Sequence, residues 1–118
     1  MRRDNDLIRS LLFEAEAMDD WLLCESGTIV INADQEDVRR GYHLLLLCDT
    51  GLFLEVDEGV FRLMNAGHDW LEAVRDETVW RKTKEAAGKV GGVGLDLMGS
   101  IATGFVKQKL AEFGVPLD

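Results

Sequence analysis

Residues 42–64 read YHLLLLCDTGLFLEVDEGVFRLM, and this stretch decides the fold. It holds four consecutive leucines, Leu44 to Leu47, which at 100° per residue cannot share one face of a helix. The spacing therefore predicts a helix from Asp34 to about Thr50 with two partly apolar stripes, Val38-Tyr42-Leu45-Asp49 and Arg40-Leu44-Leu47-Gly51. Such a helix is expected to pack on two sides. Gly51 ends it, because glycine enters the left-handed conformation without a Cβ penalty. Leu52–Val56 and Val60–Met64 then flank Asp57-Glu58-Gly59, two short apolar runs around a glycine turn, which is the pattern of a β-hairpin.

Working outward toward the N-terminus, Asp34 with Asp37 three residues on forms a carboxylate cap for the leucine helix. Before it, Thr28-Ile29-Val30-Ile31 is β-branched and short, a strand that needs a partner elsewhere, and Gly27 separates it from Trp21-Leu22-Leu23-Cys24. The first helix spans roughly residues 5–18, capped by Asp4, with Leu7, Ile8, Leu11, Leu12, Ala15 and Met18 at helical spacing. Beyond the hairpin, Asn65 caps a helix whose inner face is Trp70, Leu71 and Val74, while His68, Asp69, Glu72 and Arg75 lie outside it. Helical pattern continues over 77–89 after a kink near Asp76. Gly88, Gly91, Gly92 and Gly94 punctuate the chain as a hinge, and from Leu95 a final helix runs until Gly114 and Pro116 end it.

These elements describe an α+β, mainly α chain: a winged helix-turn-helix-like domain over 1–76 and a C-terminal helical extension of the same domain over 77–118. The order helix, strand, helix, hairpin, helix carries that expectation. One feature departs from it. Between Ile31 and Val38 there is little room for the first helix of a helix-turn-helix, and Arg40 shares a stripe with Leu44 and Leu47, so the turn-helix element is expected to be degenerate.

Tyr42-His43-Leu44-x-Leu46-Leu47-x-x-x-Gly51-Leu52, the hairpin, and Arg62-Leu63-x-x-x-Gly67-His68 resemble the recognition helix, wing and post-wing helix of bacterial winged-helix proteins. Over nearly its full length the chain resembles the domain-of-unknown-function family 2513, small proteins of bacteria and their phages. The matching stretches are Arg3-Asp4-x-Asp6-Leu7-Ile8-Arg9, the Tyr42 to Leu52 run, Gly67-His68-Asp69-x-Leu71, and the distinctive Arg75-Asp76-x-Thr78-Val79-Trp80-x-Lys82-Thr83-Lys84-Glu85. The resemblance implies a fold and brings no activity with it.

Composition bounds the function. A length of 118 residues suits one domain, and 47% hydrophobic with 30% charged residues is the balance of a folded chain. Two cysteines without a Cys-x-x-Cys pair do not make a disulfide scaffold, and acids near the N-terminus stand where a signal peptide needs an apolar core, so a cytoplasmic location is expected. The charge is uneven: residues 1–77 hold 18 acids and 7 bases, residues 78–118 hold 4 acids and 6 bases. The first part is expected to repel nucleic acid.

Candidate chemistry follows from these elements. A DNA reader would use Arg39, Arg40, Tyr42 and His43 on the leucine helix and Arg62 on the wing, since phosphates supply most of the affinity and cations must meet them. The wing sets Glu55, Asp57 and Glu58 against Arg62, which disfavours that reading. His43, His68, Cys24 and Cys48 lack metal-ligand spacing, and no nucleophile motif is present, so no metal, no cofactor and no catalytic residue is expected. The glycines from 88 to 94 lack the Gly-Lys-Ser/Thr ending and the preceding strand of a phosphate loop. Of the tryptophans that might stack on bases, Trp70 falls on an inner stripe.

The C-terminal helix carries apolar residues around a wide arc, with Ser100 and Gly104 as small surfaces and Lys107 and Lys109 as cations. It needs a neighbour, and Met98, Ile101, Phe105, Lys107 and Lys109 are its expected contact residues. No membrane partner is expected, because Asp96 interrupts the apolar stretch and few cations flank it. The expectation is a non-enzymatic accessory or regulatory protein acting through a protein partner or as a homodimer. The alternatives are a DNA-binding transcriptional regulator and an acidic inhibitor of phage origin that mimics nucleic acid.

Overall fold

The computed structural model describes residues 1–25 and 34–116. Among these residues the chain is mainly helical α+β, with five helices and one three-stranded antiparallel sheet. In order the elements are α1 (Asn5–Glu16), β1 (Leu22–Cys24), α2 (Gln35–Asp49), β2 (Phe53–Asp57), β3 (Val60–Leu63), α3 (Asn65–Val74), α4 (Glu77–Gly88) and α5 (Leu95–Glu112). They form two compact units, Met1–Leu71 and Glu72–Asp118.

In the first unit, carboxylates start the helices as their positions demand. Asp4 accepts hydrogen bonds from the backbone N–H groups of Asp6 and Leu7 at 2.9 and 3.2 Å, and Asp34 accepts from Asp37 N–H at 2.8 Å. Each cap satisfies helix donors that otherwise lack a partner and stabilises by about 1 kcal/mol. At the other end of α2, Gly51 takes φ +77°, and Gly59 takes φ +70° in the hairpin turn.

The sheet order is β1-β3-β2, with Leu23 opposite Phe61 and Phe53 opposite Leu63. A bulge lies between Glu55 and Asp57 on β2. The strand expected at Thr28–Ile31 lies outside the described residues. Strand β3 pairs with Leu22–Cys24, where alternation places Leu23 inward and leaves Cys24 exposed. Helix α1 packs on α2 and the sheet, and α2 packs on β2, around a core that includes Ile8, Leu11, Leu12, Leu47, Phe53 and Phe61.

The leucine helix corrects the expectation of two-sided packing. Leu44 and Leu47 are buried with His43, whereas the other stripe faces solvent, with Val38 49%, Tyr42 39% and Leu45 41% exposed. One helix in a small unit has one core to face, and the shorter run of consecutive leucines does not create a second.

Gly67 sits where the hairpin meets α3. A Cβ there would collide with the backbone carbonyl of Leu52 and the side chain of Leu63, and that same carbonyl accepts Met64 N–H at 2.9 Å. Trp70, Leu71 and Val74 are buried along α3, as their spacing predicts, and His68, Asp69, Glu72 and Arg75 are exposed.

In the second unit, Asp76 caps α4 by accepting from Val79 N–H at 3.0 Å. Gly91 and Gly92 turn the chain at φ +86° and +109°, with Gly92 N–H donating to Ala87 C=O at 2.9 Å, and α5 packs back on α4. Lys109 Nζ donates to Asp76 Oδ2 at 2.7 Å, which sets the last turns of α5 beside the start of α4. Val79, Trp80, Thr83 and Ala87 are the buried residues of α4, and Leu95, Met98 and Ala102 those of α5.

Candidate functional site

Of the five residues that a DNA reading would need, α2 carries four, and three of them are committed within the first unit. His43 is fully buried. Its Nε2 accepts the backbone N–H of Asp4 at 2.8 Å, and its Nδ1 stands 2.7 Å from the carbonyl of Arg39, so the proton belongs on Nδ1 and the ring ties α2 to the cap of α1. Arg39 pairs with the Asp4 carboxylate and lies 3.8 Å from Glu36.

Arg40 reaches away from the solvent stripe. Its guanidinium donates to both oxygens of Glu14, at 3.0 and 2.6 Å, and to Glu25, with Nε at 3.0 Å from Oε1. The hydrogen bonds to Glu14, then those to Glu25, hold its pKa above the ordinary arginine value. A fork between two carboxylates is the geometry guanidinium suits best. It leaves no charge for a phosphate.

Tyr42 faces outward, on the stripe with Val38 and Leu45. Arg62 is set apart from the α2 residues: it is exposed on the sheet between Leu22 and Leu54 of the flanking strands, and it lines an open cleft of about 380 Å³ with Glu16, Asp20, Trp21, Asn65 and His68. The structure thus does not bring Arg39, Arg40, Tyr42, His43 and Arg62 together as one cationic surface. Sequence spacing could place His43 at the edge of the Leu44 and Leu47 face, but its decisive partner lies 39 positions away.

The C-terminal candidates divide in a similar way. Met98 is corrected from contact surface to core, because α5 folds back on α4 and its Leu95-Met98-Ala102 side is buried. Ile101 and Phe105 are half-buried, and Lys82 Nζ stands 6.0 Å from the Phe105 ring centroid. Lys107 is exposed, and Lys109 forms the ion pair with Asp76. Spacing named Ser100, Ile101 and Gly104 but not Leu97, Gln108 and Ala111, which share the outward face of α5 with them. Leu97, 52% exposed, Ser100, Ile101, Gly104, Gln108 and Ala111 follow one another along it, and none of them is charged.

Among the described residues no group of three His, Cys, Asp or Glu side chains is placed to hold a metal ion. Burial, then the charge of Glu55, pushes the Cys48 thiol above its ordinary range, away from the thiolate a nucleophile needs. Trp70 and Trp80 are buried and Trp21 is exposed. No helix among these residues is long and apolar enough to cross a membrane.

Residues 2–94 match the family described as hypothetical protein (DUF2513). An uncharacterized protein of Haemophilus influenzae is 31% identical over 123 residues, an alignment that takes in 94% of this chain and 100% of the relative. No solved structure matches.

Proposed function

The chain belongs to the DUF2513 family of hypothetical proteins, and from that premise we propose that it is a non-enzymatic accessory or regulatory protein that works through protein contacts, self-association through α5 first among them. The observation that carries this reading is an uncharged stripe on the exposed side of α5, running between Asp96 and Lys107 on one flank and Glu112 on the other. Leu97, Ser100, Gly104, Gln108 and Ala111, with half-buried Ile101 at their edge, line up over about four turns without a charge among them. Gly104 and Ser100 let a second helix approach closely, and Leu97 and Ile101 supply apolar area. The charge of the unit allows it: Glu72–Asp118 holds seven acids and seven bases, so two copies do not repel.

The first unit supports a winged-helix-like reading through its order α1-β1-α2-β2-β3-α3 and its sheet order β1-β3-β2, with β2 and β3 as the wing. A regulator that reads DNA through α2 finds less support. Arg39 and Arg40 are spent on carboxylates, and the wing tip is Asp57-Glu58-Gly59. A cytoplasmic location accords with the composition.

Sedimentation equilibrium of the intact chain tests the proposal. A dimer is expected at high micromolar concentration, and Leu97→Glu and Ile101→Glu should each shift it to monomer while leaving the helical circular dichroism in place. A monomer at all concentrations would overturn self-association.

A further inference from the structure

We infer that the exposed stripe of α2 is a docking surface for a cationic amphipathic helix of another protein. Val38, Tyr42 and Leu45 stand at i, i+4 and i+7, each between 39% and 49% exposed, and at 1.5 Å per residue they cover about 10 Å of one line along the helix. That spacing is the one by which two helices interlock, and the same line ends on Asp49.

Charge selects the occupant. Asp34 and Asp37 stand at the start of α2 beside Val38, and Asp49 stands at its last turn. Glu55 of β2 lies close enough to Cys48 to act on its thiol, which adds a further carboxylate at that end. Arg39, the cation nearest the stripe, is neutralised by Asp4 and Glu36, and Arg40 is held by Glu14 and Glu25. The whole unit Met1–Leu71 holds 15 acids against 6 bases, all of them arginine. A second copy laid on this stripe would set these acids against each other, and a nucleic acid would meet the same repulsion. A helix with apolar residues at matching spacing and Lys or Arg on its flanks buries the stripe and pairs the acids at both ends.

The surface differs from the α5 face in residues, charge and partner, so the two are separable. The probe is a synthetic amphipathic peptide with leucines at i, i+4 and i+7 and lysines on both flanks, beside a twin with glutamates in place of the lysines. Anisotropy titration of the full chain should show the lysine peptide binding at least about tenfold more tightly than its twin, and losing affinity as salt screens the acids. Leu45→Ser, which removes apolar area without altering charge, and Val38→Lys should each weaken binding about tenfold. Leu97→Glu should leave the peptide affinity unchanged whatever it does to the oligomer. Equal binding of the lysine peptide by Leu45→Ser and the parent, equal binding of both peptides, or no binding at all would overturn the inference. So would duplex DNA bound in competition with the peptide.

Discussion

Replacing His43 by leucine separates an internal strut from a surface reader. The imidazole is fully buried, accepts Asp4 N–H at 2.8 Å through Nε2, and bonds the Arg39 carbonyl at 2.7 Å through Nδ1. Leucine fills similar space and restores neither bond. The Arg39 carbonyl keeps its place in the helix ladder, but the Asp4 N–H is left without an acceptor beside a core, and an orphaned donor of this kind costs about 1–3 kcal/mol. Because Asp4 is also the cap of α1 and the partner of Arg39, its displacement loosens that cap and that ion pair as well. For a chain of this size each kcal/mol lowers the melting temperature by about 3–6 °C. Urea titration followed by circular dichroism measures the loss directly. His43→Gln, whose side-chain oxygen can still accept, should recover part of it. A His43→Leu variant within about 0.5 kcal/mol of the parent would refute the strut and return His43 to the surface.

Arg40→Met should destabilise by about 1–3 kcal/mol, read in the same urea titration, because it strands Glu14 and Glu25 while preserving the packing of the side-chain stem. Asp76 gives a pH signature. The Lys109 ammonium, then Val79 N–H, hold its carboxyl below the usual range, so its contribution is present above the ordinary aspartate pKa and is lost as pH falls through its lower value in the folded chain. Asp76→Asn should accordingly flatten the acid limb of a melting-temperature profile, and an unchanged limb would show that the pair contributes nothing.

Much of the architecture was legible because it depends on local rules. Asp4 and Asp34 act as helix caps, Gly51 and Gly59 mark the turns that need a left-handed residue, and Trp70, Leu71 and Val74 follow a helical period. What escaped depended on partners distant in sequence. Three residues, Leu22–Cys24, are too few for periodicity to identify a strand, and only pairing with β3 makes them one. Arg40 and His43 carry the functional groups that a groove reader requires, yet Glu14, Glu25 and Asp4 claim them from 15 to 39 positions away. Met98 was indistinguishable from its neighbours on α5 until α4 covered one side of that helix.

Gly67 has a consequence for how this chain can vary in length. Its missing Cβ and the Met64 N–H to Leu52 C=O bond clamp the base of the hairpin to the entry of α3, so the anchor point admits neither a larger residue nor a shift of register. At the tip Asp57 and Glu58 are exposed, whereas Gly59 is buried and its carbonyl accepts Glu25 N–H at 2.7 Å, and a bulge already absorbs one extra residue on β2. Insertions and deletions in related chains should therefore collect at Asp57-Glu58 while a glycine persists at the base, and a peptide tag spliced in between these two exposed residues is the one to try when this unit needs a handle.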